Sequence, residues 1–206
     1  MEEKKIISIL GCGKLGLPVA KILKNKGYII KASTTTKKKI KEFDKLGFKP
    51  YLLDCNYSCE VNFFKSDIII IILPFKKSFE DPMIYFNQIY RISEYIESSP
   101  IKHIVFTSSS SIYPKDGYRY LPSDNFTLTS KRSRILDKCE KRLEIIHNST
   151  SIIIRLGGLI ASHRRVSSSD NIRRLISEES AIKYIVESAT QFYHNDCINA
   201  FRYMIY

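Results

Sequence analysis

No apolar run in this 206-residue sequence approaches the roughly 20 residues that a bilayer-spanning helix needs; the longest is Ile68 to Phe75. The first residues are charged and lead straight into a strand pattern with no leader-like segment, so a cytoplasmic location and no membrane partner are expected. A second cysteine pair is also missing. Cys12, Cys55, Cys59, Cys139 and Cys197 are odd in number and irregularly spaced. Cys55 and Cys59 resemble half a metal site, but no partner pair stands at a zinc-ribbon or finger spacing. Reduced, mostly buried thiols are the better reading, and no metal is expected. Acidic residues are scarce, 21 against 33 lysines and arginines, for a net charge of +12. That excess is scattered and mostly lysine. With no aromatic-interleaved basic stripe or nucleic-acid motif, it disfavours nucleic acid and implies only attraction of anionic cofactors and substrates. There is no internal repeat and no evident linker. A hydrophobic content of 44% over 206 residues fits one domain, or one domain with a short appendage.

What is present centres on the first turn. Ile6-Ile7-Ser8-Ile9-Leu10 is an apolar, β-branched run, followed by Gly11-Cys12-Gly13-Lys14-Leu15-Gly16 and then a helical pattern reaching Lys24. Strand, glycine turn and helix in this order are what a dinucleotide-binding βαβ unit requires. Gly11 permits a sharp turn, Gly13 lets backbone approach a pyrophosphate, and Gly16 lets helix pack closely on strand. The helix start offers N–H groups and a partial positive charge to phosphates. The other reading is a purely structural glycine turn.

Gly27 suits a helix C-terminus, and Tyr28 to Thr34 reads as the second strand. A conventional NAD site carries an acid at the end of this strand. Here Ser33-Thr34-Thr35-Thr36-Lys37-Lys38-Lys39 stands there, and the first acid is Glu42. Thr34, Thr35, Lys37 and Lys38 would suit a 2′-phosphate, which favours NADP(H) slightly over NAD(H). Alternatively Thr36 caps a helix and the lysines form its solvated first turn, an arrangement poor for the helix dipole unless an anion is near.

Ile40, Phe43 and Leu46 mark the next helix, closed by Gly47. Tyr51 to Asp54 reads as a third strand with Asp54 at its carboxyl end. The isoleucine run from Ile68, without polar alternation, belongs to a strand covered on both faces. Leu73 and Pro74 close it near the expected cofactor crevice. Met83 to Ile96 has helical spacing after Pro82, and its aromatics read as core. Ile101 to Thr107 is a strand leading into Ser108-Ser109-Ser110-Ser111-Ile112-Tyr113-Pro114. Lys115 to Thr129 is loop-like, Ser130 to His147 helical, and Ser151 to Leu156 a further strand. Asn171 to Ala189 reads as a helix, and an aromatic tail ends at Tyr206. Alternating strands and helices make an α/β, doubly wound Rossmann-type parallel sheet with helices on both faces. Its ligands belong beyond the carboxyl ends of the strands.

Four segments, GCGKLG, DIIIIILP, HIVFTSSSSIYP and SIIIRLGGLI, cover residues 4 to 160 in an order that resembles the short-chain dehydrogenase/reductase superfamily. The resemblance is to its atypical or extended, NAD-dependent epimerase/dehydratase-like branch. It implies an NAD(P)-binding Rossmann domain over 1–160 and a shortened C-terminal substrate or partner region over 161–206. It also implies an oxidoreductase or epimerase acting on a small-molecule substrate that no motif specifies; no motif specifies an oligomeric state either. The family's serine role falls on Ser109, the candidate catalytic residue, with Ser108 and Ser110 beside it. The family's Tyr-x-x-x-Lys pair is absent, since no tyrosine here has a lysine four residues later. If Glu140 takes the place of the glutamate commonly found later on that helix, the tyrosine and lysine positions fall on Arg132 and Leu136. Arginine is no useful proton donor. Arg132 or Lys131 would hold an anionic substrate or be solvated helix charges, the latter preferred. His163, Arg164 and Arg165 would grip a phosphate or form an exposed loop. The alternative to an enzyme is therefore a dinucleotide-binding sensor or degenerate member without turnover. Its partner surface would be built from Phe192, Tyr193, Phe201, Tyr203 and Tyr206.

Overall fold

The computed structural model describes residues 4–76, 79, 81–116, 118, 120–121, 123–160, 175–191 and 201–205. His163, Arg164, Arg165, Phe192, Tyr193, Cys197 and Tyr206, named above, lie outside them. The strands are β1 (Ile6–Leu10), β2 (Ile29–Thr34), β3 (Lys49–Leu52), β4 (Ile68–Ile71), β5 (His103–Ser109), β6 (Thr150–Leu156), β7 (Gly158–Ile160), β8 (Leu175–Ser177) and β9 (Phe201–Ile205). The helices are α1 (Gly16–Asn25), α2 (Lys37–Lys45), α3 (Val61–Phe64), α4 (Met83–Glu97), α5 (Lys131–Glu144) and α6 (Glu178–Gln191).

Seven strands form one sheet in the order β3-β2-β1-β4-β5-β6-β9, every neighbouring pair parallel. β7 and β8 form a separate parallel pair. The chain winds outward in one direction from β1 to β3 and in the other from β4, so the order reverses between β1 and β4. That reversal opens a crevice at the carboxyl ends of the two strands.

The all-isoleucine β4 is buried at every position. Ile68 and Ile70 pack with Val19, Leu23 and Ile185 on one face, and Ile69 and Ile71 with Ile89, Ile92 and Leu136 on the other. Alternating side chains thus serve two cores, as expected of a central parallel strand. Gly27 and Gly47 end their helices at φ of +97° and +69°. α5 opens with a reciprocal box in which the hydroxyls of Ser130 and Ser133 each accept the other's backbone N–H.

Three expected boundaries shift. β3 runs Lys49–Leu52, so Asp54 lies beyond the strand in a turn that bridges to Ser58. β5 extends to Ser109 because Ser108 and Ser109 stay in register with Arg155 and Leu156. The helix expected over 171–189 begins at Glu178: Leu175–Ser177 pairs with β7, and the Ser177 hydroxyl accepts the Ser180 N–H, capping α6. Glu178 and Glu179 in the first turn suit its dipole. α6 packs on α1, β5 and β6, and β9 extends the main sheet beside β6. Among the described residues no helix is long and apolar enough to cross a membrane.

Candidate functional site

A cleft of about 640 Å³ lies over the reversal point, lined by the β1–α1 turn, the ends of β2, β4 and β5, and the start of α5. Its floor is the glycine turn, where the three glycines have separate physical roles. Gly11 sits at φ +89°, and a Cβ there would lie 2.3 Å from the Ile72 carbonyl oxygen, so β1 and β4 approach this closely only around glycine. A Cβ on Gly16 would lie 2.5 Å from the Gly11 oxygen. A Cβ on Gly13 would meet nothing within 4 Å, so its backbone faces open space. The Gly13 N–H donates to Gly11 O at 2.8 Å, while Gly11 N–H and Cys12 N–H donate to the hydroxyl and carbonyl of Ser33 at 2.9 and 3.1 Å. Cys12 is buried, and desolvation pushes its thiol up to about 12, which removes it as a nucleophile. Lys14 and Leu15 also line the cleft, and the exposed Lys14 ammonium pairs with Glu178 at the start of α6.

At the end of β2, Thr34, Thr35, Thr36 and Lys39 line the cleft. Lys37 and Lys38, the other lysines expected near a 2′-phosphate, are exposed at the start of α2 and are not among the residues that line the cleft. Of the three lysines that open α2, Lys39 is the one that lines the cleft. Thr36 occupies the N-cap position, but its side chain makes no capping bond. Asp54 lines the same end, its carboxylate accepting from Asn56 N and Nδ2 at 3.0 and 2.9 Å. Cys55 follows it, with its sulfur 3.6 Å from that of Cys59, both thiols free. Among the described residues no group of three or more histidine, cysteine or carboxylate side chains could hold a metal.

The other end carries Leu73, Pro74, Phe75, Lys76, Tyr85, Thr107, Ser108, Ser109, Arg132 and Leu136. Ser109 Oγ lies 2.9 Å from Ser111 Oγ and accepts the Ser111 N–H at 3.2 Å. Ser108 Oγ donates to Glu140 Oε1 at 2.5 Å, and Glu140, with no exposed surface, is forked by Arg155 at 2.7–3.2 Å. Arg155 also donates to Tyr113 Oη at 2.6 Å. Ser110, grouped with these serines by sequence, is buried in the turn after β5.

Arg132 and Leu136 both reach the cleft, so an arginine and a leucine occupy the wall where the resemblance placed a tyrosine and a lysine. Arg132 is not a solvated helix charge. Its Nε donates to Ser111 Oγ at 3.2 Å, its Nη1 and Nη2 donate to Phe75 O at 3.2 and 3.3 Å, and it lies 4.0 Å from the centroid of the Phe75 ring. Phe75 is held in turn by Tyr85, stacked at 4.5 Å. Lys131 is the solvated one, 3.5 Å from Asp81. Tyr85, the one tyrosine among the described lining residues, donates to Leu73 O at 3.1 Å. Burial drives its phenol above the usual range, opposite to what a proton-transfer group near neutrality needs.

Lys39, Phe75 and Lys76 went unnoticed in the sequence as cleft residues. The signal for the last two was their place directly after β4, on the far lip of the switch point.

No family model matches the chain. Protein YeeZ of Escherichia coli K12 is 25% identical over 166 residues, covering 78% of this chain. The chain spans about three-fifths, 61%, of that relative's length. Among solved structures, MoeE5 in complex with UDP-glucose and NAD superposes with a TM-score of 0.76 at 14% identity, over 98% of this chain and 75% of that one. UDP-N-acetylglucosamine 4-epimerase from Bacillus cereus gives 0.75 at 15% identity, over 98% and 78%. The chain has the fold of these proteins, and the resemblance carried by its four segments is supported at the level of fold.

Proposed function

We propose that the cleft binds a nicotinamide dinucleotide, NAD(P)(H), and that the chain is an oxidoreductase- or epimerase-type protein acting on a small molecule. The observation that carries this reading is the division of labour among the three glycines: Gly11 and Gly16 permit close packing, while Gly13 leaves its backbone facing open space. That is the shape a pyrophosphate needs at a helix start. Lys14, Lys39, Lys76 and Arg132 line the cleft against one carboxylate, Asp54, which further suits an anionic ligand. MoeE5, with the same fold, is described in complex with NAD, which supports the same assignment here. When bound, the nicotinamide would supply hydride transfer; Ser108 and Ser109 would face the reacting end, and Thr34, Thr35 and Lys39 the adenosine ribose.

Arg132 and Leu136 favour a second reading, dinucleotide binding retained without turnover by the usual tyrosine route. Residues 161–206 would then serve as a partner surface rather than the substrate side. Titration of the folded protein with NADPH and NADH, followed by nicotinamide fluorescence, tests the shared premise, and absence of binding by either overturns it. A substrate screen then separates the two readings.

NADPH is expected to bind more tightly than NADH, since hydroxyls and a lysine stand where an acid would repel a 2′-phosphate. Lys39→Glu is expected to weaken NADPH about tenfold more than NADH, on the order of 1.4 kcal/mol. Lys37→Glu with Lys38→Glu is expected to change that ratio less than twofold. Equal effects of Lys39→Glu on both nucleotides would remove the specificity assignment.

A further inference from the structure

We propose that Arg132 makes the wall beside Ser109 a binding site for an oxyanion, the carboxylate or phosphate group of a small molecule held next to the dinucleotide. The proposal rests on reading the cleft as a dinucleotide site and names the chemistry of its second ligand.

Among the described residues, Arg132 is a fixed cation without a counter-ion. Its hydrogen-bond partners among the described residues are neutral, a serine hydroxyl and a backbone carbonyl, and no carboxylate there lies within ion-pair distance. The nearby Asp81 is paired with Lys131. Among the described arginines that are not exposed, Arg142 pairs with Glu97 and Arg155 with Glu140, while Arg91 donates to the Cys55 carbonyl. A partly desolvated guanidinium without a carboxylate is electrostatically unsatisfied, and burial lowers its proton affinity.

Its geometry is already organised for recognition. The Phe75 ring and carbonyl hold the guanidinium plane, and three donors are committed, which leaves one N–H on each Nη. The free N–H of Nη2 lies on the same edge as Nε and Ser111 and offers a charge-assisted donor to one oxygen of a carboxylate or phosphate, while the free N–H of Nη1 points from the opposite edge. Ser111 Oγ, which accepts from Nε, is 2.9 Å from Ser109 Oγ, so hydroxyl and guanidinium donors share one wall. Lys76, next to Phe75, adds positive charge to the cleft lining. A proton-transfer pair has been exchanged for an oxyanion clamp.

The test titrates the full chain, with and without saturating NADPH, with malonate, inorganic phosphate and uncharged malonamide, read by calorimetry. Malonate or phosphate is expected to bind in the presence of NADPH, malonamide at least tenfold more weakly. Arg132→Gln is expected to reduce anion affinity at least tenfold, and Arg132→Lys, which keeps charge but loses the planar guanidinium fixed by Phe75 and Ser111, at least threefold. The lysine variant also serves if the glutamine variant does not fold. Unchanged anion affinity in either folded variant, or equal binding of malonamide, overturns the proposal. An anion displaced by NADPH and lost in Gly13→Asp belongs to the glycine turn and overturns it equally. Arg132-dependent anion binding without any NADPH binding upholds the clamp and sinks the nucleotide reading. NADPH binding without Arg132-dependent anion binding does the reverse.

Discussion

Gly13→Asp is expected to abolish dinucleotide binding while leaving the fold and melting temperature essentially unchanged. The two halves of that expectation have separate causes. Gly13 is not among the glycines at positive φ, and a Cβ built on it touches nothing within 4 Å, so a side chain meets neither backbone strain nor collision. The same open space is where a pyrophosphate would lie. A carboxylate placed there opposes a like charge at about 4 Å, worth about 4 kcal/mol at an effective dielectric of 20. Half of that still weakens binding about thirtyfold, and occupied volume adds to it. Gly13→Ala is the control, with a small loss. Gly11→Ala is the contrast: at φ +89°, with Ile72 O 2.3 Å from the new Cβ, it is expected to lower stability as well as binding. Fluorescence titration beside a thermal melt reads both quantities. A folded Gly13→Asp protein that binds NADPH within threefold of wild type would remove the turn from the site.

The β1 turn was legible because its three glycines are punctuation that pattern alone exposes, and β4 because an unbroken isoleucine run has one comfortable place in a parallel sheet. What escaped the sequence depends on direction rather than identity. Lys37, Lys38 and Lys39 are chemically alike, and which of them faces the crevice is set by where α2 begins and by its 100° step per residue. The start of α6 escaped because helical periodicity runs back through Leu175 and Ile176, and only pairing with β7 together with the Ser177 cap stops it. Arg132 was misread as solvated because its partners, Phe75 O and Ser111, are 57 and 21 residues away in sequence. The family resemblance, anchored on Glu140, implied a tyrosine position at Arg132, and Arg132 lines the cleft.

Arg155→Met is expected to cost about 3–5 kcal/mol of stability, the usual consequence of removing one partner of a buried ion pair. Arg155 is 1% exposed and Glu140 fully buried, and the pair is bridged through Nε and Nη2. With the guanidinium gone, Glu140 keeps Ser108 Oγ as a donor, but that single hydroxyl cannot offset the desolvation of a carboxylate. For a chain of this size the loss corresponds to a fall in melting temperature of roughly 6–20 °C. The double variant Arg155→Met, Glu140→Leu is expected to be more stable than Arg155→Met alone, because it removes the stranded charge and fills the space with apolar volume. The exposed, one-turn pair Lys141–Asp137 provides the scale: breaking it is expected to cost about 0.5 kcal/mol or less. The buried pair also reaches the cleft, since Glu140 holds Ser108, the neighbour of Ser109 at the end of β5. Glu140→Leu therefore leaves the Ser108 hydroxyl without its acceptor even where the double variant restores stability. Recovered stability without recovered ligand affinity would separate the two duties of Glu140, one in the core and one in setting the serine wall beside Arg132. A double variant less stable than Arg155→Met would mean that Glu140 does not depend on Arg155 for its place in the core.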